Sequence, residues 1–233
     1  MADRPLVLAH RGASRAAPEN TIPAFTRARE LGADGVELDV RRTADDVLVV
    51  HHDPEVEGLG LIAAHPLAAL RAARTDVPTL VEALAACTGL LVNVEVKCLP
   101  WEPDADGPDH PVVRAVVEAV RAHAPDAIVS SFDLGAVDAC RTFAPELTTA
   151  WLTSSQELAT ASAIASEHGH AWLHPDRGSA LATRKDGIQA AHDQGVRVDV
   201  WTVDDPDEIR TLAAAGVDAI VTNVPDVALA ALS

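Results

Sequence analysis

Short β-branched runs alternate with helix-length segments along the whole chain, and this alternation restricts the fold more than any other feature of the sequence. Strands are expected at Leu6 to His10, Gly35 to Val40, Val47 to His51, Leu91 to Val96, Ala127 to Ser131, Thr148 to Leu152, Ala171 to His174, Arg197 to Thr202 and Ala219 to Thr222. Between most of them lies a helical pattern, clearest over Pro111 to His123, where Val112, Val113, Val116, Val117 and Val120 share one face and Arg114, Glu118 and Arg121 the other. Gly32, Gly195 and Gly216 stand just before strands, where a helix ends in a left-handed residue. Val40 and Val47 are joined by a turn too short for a parallel crossover, so these two runs form an antiparallel hairpin. Setting the hairpin's second strand aside leaves eight strands in βα alternation within 233 residues. That matches a single (β/α)8 TIM barrel over residues 1–233, with a hairpin and a short insertion, residues 53–77, at the rim after the second strand. An open doubly wound sheet competes, but no glycine-rich dinucleotide fingerprint follows the first strand.

Composition narrows the partners. Eighteen Lys and Arg against 35 Asp and Glu give a net charge of −17, which repels nucleic acid. No apolar run approaches the roughly 20 residues of a membrane span, and Met1 to Pro5 lack a signal-peptide layout, so a cytoplasmic protein without integral membrane association is expected. Cys87, Cys98 and Cys140 are odd in number and widely spaced, which disfavours disulfides and zinc-ligand pairs; Cys98 reads as a spectator beside Lys97.

In such a barrel the chemistry sits at the C-terminal ends of the strands. The first strand ends in His10-Arg11-Gly12; the second places Glu37 and Asp39 on one face, and the next barrel strand places Asn93, Glu95 and Lys97 on one face. Three converging oxygen donors without a cysteine pair suit a hard divalent cation, Mg2+ or Ca2+, although ion pairs with Arg11, Arg41 and Lys97 are the plainer alternative. The hairpin delivers His51, His52 and Asp53, and alternation lets one of the two histidines face the site. The remaining histidines, from His65 to His192, read as surface or structural residues, and the acidic stretch Trp101 to His110 as a solvated loop.

The run His10-Arg11-Gly12, Pro18-Glu19-Asn20-Thr21, Glu37-Leu38-Asp39-Val40, His52-Asp53-Pro54, Asn93-Val94-Glu95-Val96-Lys97, Ser131-Phe132-Asp133, Trp201-Thr202-Val203 and Thr222-Asn223-Val224-Pro225-Asp226 resembles the glycerophosphodiester phosphodiesterase family over almost the whole chain. The resemblance implies a barrel enzyme of lipid and glycerol metabolism that hydrolyses a small glycerophosphodiester to sn-glycerol 3-phosphate and an alcohol. It implies His10 and His52 as the acid–base pair, which makes His51 the outward neighbour. It further implies Glu37, Asp39 and Glu95 as ligands of a divalent cation, and Arg11 and Lys97 as phosphate contacts. Phe132 and Trp201 are candidates for the apolar wall around the alcohol or glycerol. A lyase that cyclises lysophospholipids and a non-catalytic phosphate-binding barrel are the rival readings. One departure stands out: Asp46 of Thr43-Ala44-Asp45-Asp46 occupies the turn position where the family places a left-handed glycine. Neither the preferred alcohol nor the oligomeric state is readable from the chain.

Overall fold

The computed structural model describes residues 4–97 and 99–233; Cys98 lies outside the described residues. The strands are β1 (Leu6–His10), β2 (Gly35–Arg42), β3 (Leu48–Val50), β4 (Glu55–Val56), β5 (Gly60–Leu61), β6 (Leu91–Val96), β7 (Ile128–Ser131), β8 (Thr148–Thr153), β9 (Trp172–Pro175), β10 (Arg197–Val200) and β11 (Ala219–Thr222). The helices are α1 (Ile22–Glu30), α2 (Leu67–Ala73), α3 (Leu80–Ala86), α4 (Pro111–His123), α5 (Leu134–Phe143), α6 (Leu158–Glu167), α7 (Arg177–Asp193), α8 (Pro206–Ala215) and α9 (Pro225–Ala231). Parallel pairing runs β1-β11-β10-β9-β8-β7-β6-β2, and β1 pairs with β2 to close an eight-stranded barrel. The expected (β/α)8 architecture is what the chain forms.

Alternation along each strand divides the core in two. Val36, Leu38 and Val40 of β2 and Val92, Val94 and Val96 of β6 point outward, into a core shared with α1, α3 and α4. All five valines on the apolar face of α4 are buried there, each contributing about 1.5 kcal/mol of transfer free energy. The opposite residues fill the barrel: Leu8, Ile128, Ala150, Trp172, Ala219 and Val221 make its apolar floor. At Gly35 a Cβ would lie 2.5 Å from the Leu91 carbonyl oxygen, so only glycine lets β2 approach β6 this closely at the floor.

β2 continues past the barrel into the expected hairpin, with Val40 opposite Val50 and Arg42 opposite Leu48. Asp46 adopts a left-handed φ of 61° in its turn, and the Thr43 hydroxyl accepts from the Val47 amide at 3.0 Å. Residues 53–77 form the β4–β5 hairpin, a 3-10 turn at Ile62–Ala64 and α2, over a small core of Val49, Val56, Ile62, Leu70 and Val77. Gly32, Gly195 and Gly216 end their helices with φ of 84°, 76° and 94°, as expected. β10 stops at Val200, two residues short of expectation, and Trp201 keeps a single parallel bridge to Asp176. No described helix is long and apolar enough to cross a membrane.

The acidic stretch after β6 is solvated at Trp101, Pro103, Ala105, Pro108 and Asp109, as expected, and departs from that reading at Glu102 and Asp104. Arg41, with no exposed surface, reaches out of β2 to Glu102 at 2.9 Å and to Asp104 at 2.8 Å, and donates through Nε to the His52 carbonyl at 2.7 Å. A buried guanidinium needs carboxylate partners, and this stretch supplies them. Trp101 is 71% exposed.

Candidate active site

Register brings the polar residues together at the C-terminal end of the barrel. His10 lies beside Glu37, Glu37 beside Asn93, and Asp39 beside Glu95, on three adjacent strands whose inward positions they share. One carboxylate oxygen from each of Glu37, Asp39 and Glu95 lies within 4.8 Å of the other two, and all three residues are buried. The Arg11 Nε stands 3.2 Å from Asp39, the Lys97 Nζ 2.9 Å from Glu95 and 3.7 Å from Asp39. The plainer ion-pair reading is therefore met for Arg11 and Lys97, and not for Arg41, which is committed elsewhere.

Two cationic side chains do not balance three buried carboxylates. Burial and the charges of Asp39 and Glu95 push the Glu37 carboxyl well above its usual range. Burial likewise lifts Glu95 to about 7 against the pull of Lys97. Asp39 alone is held low: burial works the other way, but Lys97, Arg11, His52 and the Asn20 amide, which donates at 2.8 Å, outweigh it. Glu37 Oε1 and Asn93 Oδ1 are buried with no hydrogen-bond partner among the described residues. An all-oxygen donor set, short of positive charge and with an orphaned carboxylate oxygen, fits a hard divalent cation.

Both histidines are held through Nδ1. Asn223 Nδ2 donates to the Asp204 carboxylate at 2.8 Å, which turns Asn223 Oδ1 toward His10 Nδ1, also at 2.8 Å. An amide oxygen only accepts, so His10 carries its proton on Nδ1 and leaves Nε2 free, 3.9 Å from Glu37. His52 Nδ1 meets the Asp53 carboxylate at 2.7 Å, which likewise frees Nε2. Burial, then Arg11, lowers the pKa of His10; burial lowers that of His52, with Lys97 and Arg11 adding to it and Asp39 opposing.

One cavity is lined by His10, Arg11, Glu37, His52, Asn93, Glu95, Lys97, Phe132, Leu152, His174, Trp201 and Val221. Every expected site residue except Asp39 lines it, and Asp39 lies directly behind Arg11 and Lys97. His51 does not line it; its Nδ1 instead contacts the Asp53 carbonyl at 2.9 Å. Phe132 and Trp201 meet edge to face with centroids 5.4 Å apart, and the Lys97 ammonium stands 5.7 Å from the Phe132 centroid. The left-handed backbone at Arg11, φ 57°, lets its amide donate to Glu37 at 3.0 Å while its guanidinium reaches Glu19 at 2.9 Å. Gly12 follows at φ 77°, with the space for a Cβ already taken by the Ala24 carbonyl carbon at 2.6 Å.

Over residues 10–227 the chain matches the glycerophosphoryl diester phosphodiesterase family. It belongs to that family. The glycerophosphodiester phosphodiesterase of Caldanaerobacter subterraneus subsp. tengcongensis is 32% identical over 239 residues, covering 95% of each chain. Among solved structures, a glycerophosphodiester phosphodiesterase from Parabacteroides distasonis superposes with a TM-score of 0.85 at 27% identity, covering 99% of this chain and 97% of that one. A phosphodiesterase from Oleispira antarctica, solved in complex with the product sn-glycerol-3-phosphate, gives 0.83 at 26% identity, covering 98% and 96%.

Residues that sequence reasoning passed over line or support the same cavity. Asn20 and Asn223 stand inside the motifs that carry the resemblance, but their partners, Asp39 and His10, are visible only in three dimensions. Asp204 carries no signal of its own. His174 joins the cavity from β9, and Asp199 lies near it on β10. Both follow the inward alternation that singled out Glu37 and Asp39, which is the signal that could have found them.

Proposed function

We propose that the protein hydrolyses glycerophosphodiesters to sn-glycerol 3-phosphate and a free alcohol in the cytoplasm, using a divalent cation, Mg2+ or Ca2+. What carries the reading is the meeting of two imidazoles, each with a free Nε2, with Arg11, Lys97 and three carboxylates at one cavity. The product bound to the Oleispira antarctica relative supports the substrate class.

Glu37, Asp39 and Glu95 would hold the cation, which when bound neutralises charge on the phosphoryl oxygens. Arg11 and Lys97 border the same space and bind the anionic diester, exchanging part of their attraction to Asp39 and Glu95 for phosphate oxygens. One histidine, neutral, takes at Nε2 the proton of the attacking water as the water oxygen bonds to phosphorus. The other, entering the cycle as imidazolium with a second proton on Nε2, gives that proton to the alcohol oxygen as the old P–O bond breaks, so the pair ends with its protons exchanged and no net charge lost. The Phe132–Trp201 corner forms the apolar wall beside the glycerol or alcohol moiety and limits water around Lys97. Trp201 is fixed by its Nε1–H, which donates to the His174 carbonyl at 2.8 Å, and Phe132 by its carbonyl, which accepts from Trp151 Nε1 at 3.2 Å.

The test is release of glycerol 3-phosphate from glycerophosphocholine by His10→Ala and His52→Ala. Each variant is expected to lose about 10²- to 10⁴-fold in kcat with its circular dichroism unchanged. Turnover near that of the parent in either variant overturns the acid–base assignment.

A further inference from the structure

A second cluster of ligating side chains lies at the other end of the barrel, where the strands begin. His168 caps α6, Gly169 turns the chain with φ 76°, and His170 precedes β9. That left-handed φ favours glycine in the tight turn that sets the two histidines side by side. Their rings stack with centroids 6.1 Å apart and planes inclined by 18°. Asp138 of α5 faces both: its oxygens lie 2.9 and 3.0 Å from His168 Nδ1, and Oδ1 lies 3.2 Å from His170 Nε2.

His170 is the decisive residue. Its side chain has no exposed surface, its Nδ1 is engaged by the Thr149 hydroxyl at 2.9 Å, and its Nε2, 3.2 Å from Asp138, makes no well-aligned hydrogen bond among the described residues although it is directed at this cluster. In the tautomer that donates Nδ1–H to Thr149, the Nε2 lone pair faces the Asp138 carboxylate oxygen, an arrangement that a cation between them completes. A metal-binding imidazole is held in that way, with the second nitrogen fixed by an outer partner.

We propose that Asp138, His168 and His170 form a binding site for a first-row transition-metal cation, Zn2+ foremost, distinct from the acidic centre at the barrel mouth. Two imidazole nitrogens and one carboxylate suit Zn2+ far better than Mg2+ or Ca2+. Ligands about 2.0–2.1 Å from a tetrahedral ion are roughly 3.3 Å apart. The observed separations of 2.9 and 3.2 Å, within a set whose atoms all lie inside 4.8 Å, need only small side-chain adjustment. Asp138 and His168 are about a third exposed, which admits the ion and leaves water for the remaining position. The ion would tie α5 to the turn that opens β9.

The experiment titrates metal-stripped protein with Zn2+ in excess Mg2+, by calorimetry and by thermal unfolding, using the parent, His168→Ala, Asp138→Asn and the double variant Glu37→Gln, Glu95→Gln. The parent and the double variant are expected to share one Zn2+ site. Zn2+ at about a hundredfold excess over its dissociation constant is expected to raise Tm by about 5–10 °C. His168→Ala and Asp138→Asn, both at the surface, are expected to bind that Zn2+ at least tenfold more weakly while retaining Mg2+-supported activity. Equal Zn2+ affinity in the parent and in both of these variants overturns the proposal, as does loss of all Zn2+ binding in the double variant.

Discussion

Replacing Asp199 by Asn removes a titration that burial has moved far from its ordinary position. The carboxyl has no exposed surface, neither oxygen has a hydrogen-bond partner among the described residues, and His174 Nε2 is 3.8 Å away. Burial, with Asp218 adding, raises its pKa from 3.8 to about 8, while burial lowers that of His174 from 6.5 to about 3. At pH 7 both are neutral and the proton resides on the carboxyl. Between pH 3.8 and 8 the native chain keeps this proton and the unfolded chain loses it, so stability falls as pH rises through that window and levels above it. Each pH unit is worth about 1.4 kcal/mol, and pH 7 lies about three units above the ordinary value, so the cost at pH 7 is about 4 kcal/mol. Asparagine keeps the shape and does not titrate. The stability of Asp199→Asn relative to the parent should therefore climb by about 1.4 kcal/mol per unit from pH 4 to 8, and His174, present in both proteins, contributes equally to each. Urea unfolding at pH 5, 6, 7 and 8 measures this difference. A pH-independent difference, or one that shrinks as pH rises, would refute the reasoning.

Asp204→Asn is expected to lower kcat by about tenfold to a hundredfold with KM little changed, because the Asn223 amide loses the acceptor that aims its oxygen at His10; steady-state kinetics on glycerophosphocholine check this. Asp53→Asn removes the carboxylate that raises the pKa of His52, so the limb of the kcat/KM profile due to His52 should move to lower pH. Arg41→Ala strands the buried Asp104 and frees Glu102, and should cost about 3–5 kcal/mol in denaturant unfolding.

The barrel was legible because each strand announces itself locally. β1, β6 and β11 begin and end where their β-branched runs do, and the short turn between Val40 and Val47 forces the hairpin. The same alternation put Glu37, Asp39 and Glu95 inside, and the barrel register then brought them together. What escaped was pairing across the chain. His10 and Asn223 are 213 residues apart, and Asp138 meets His168 across 30. Local periodicity carries no trace of either. Arg41 shows the limit most plainly: it shares the face of Glu37 and Asp39, so alternation points it toward that carboxylate cluster, and only the folded chain shows two acids of the following loop closing over it instead.

The central claim is tested most directly by treating the protein with a chelator, supplying glycerophosphocholine, glycerophosphoethanolamine or glycerophosphoglycerol, and identifying the products before and after Mg2+, Ca2+ or Mn2+ is restored. Release of sn-glycerol 3-phosphate that appears only with the cation, and that Glu37→Gln makes dependent on higher cation concentrations, is the predicted result. Folded protein that releases no glycerol 3-phosphate from any of the three diesters with any cation, or that turns over equally well without one, would contradict the account.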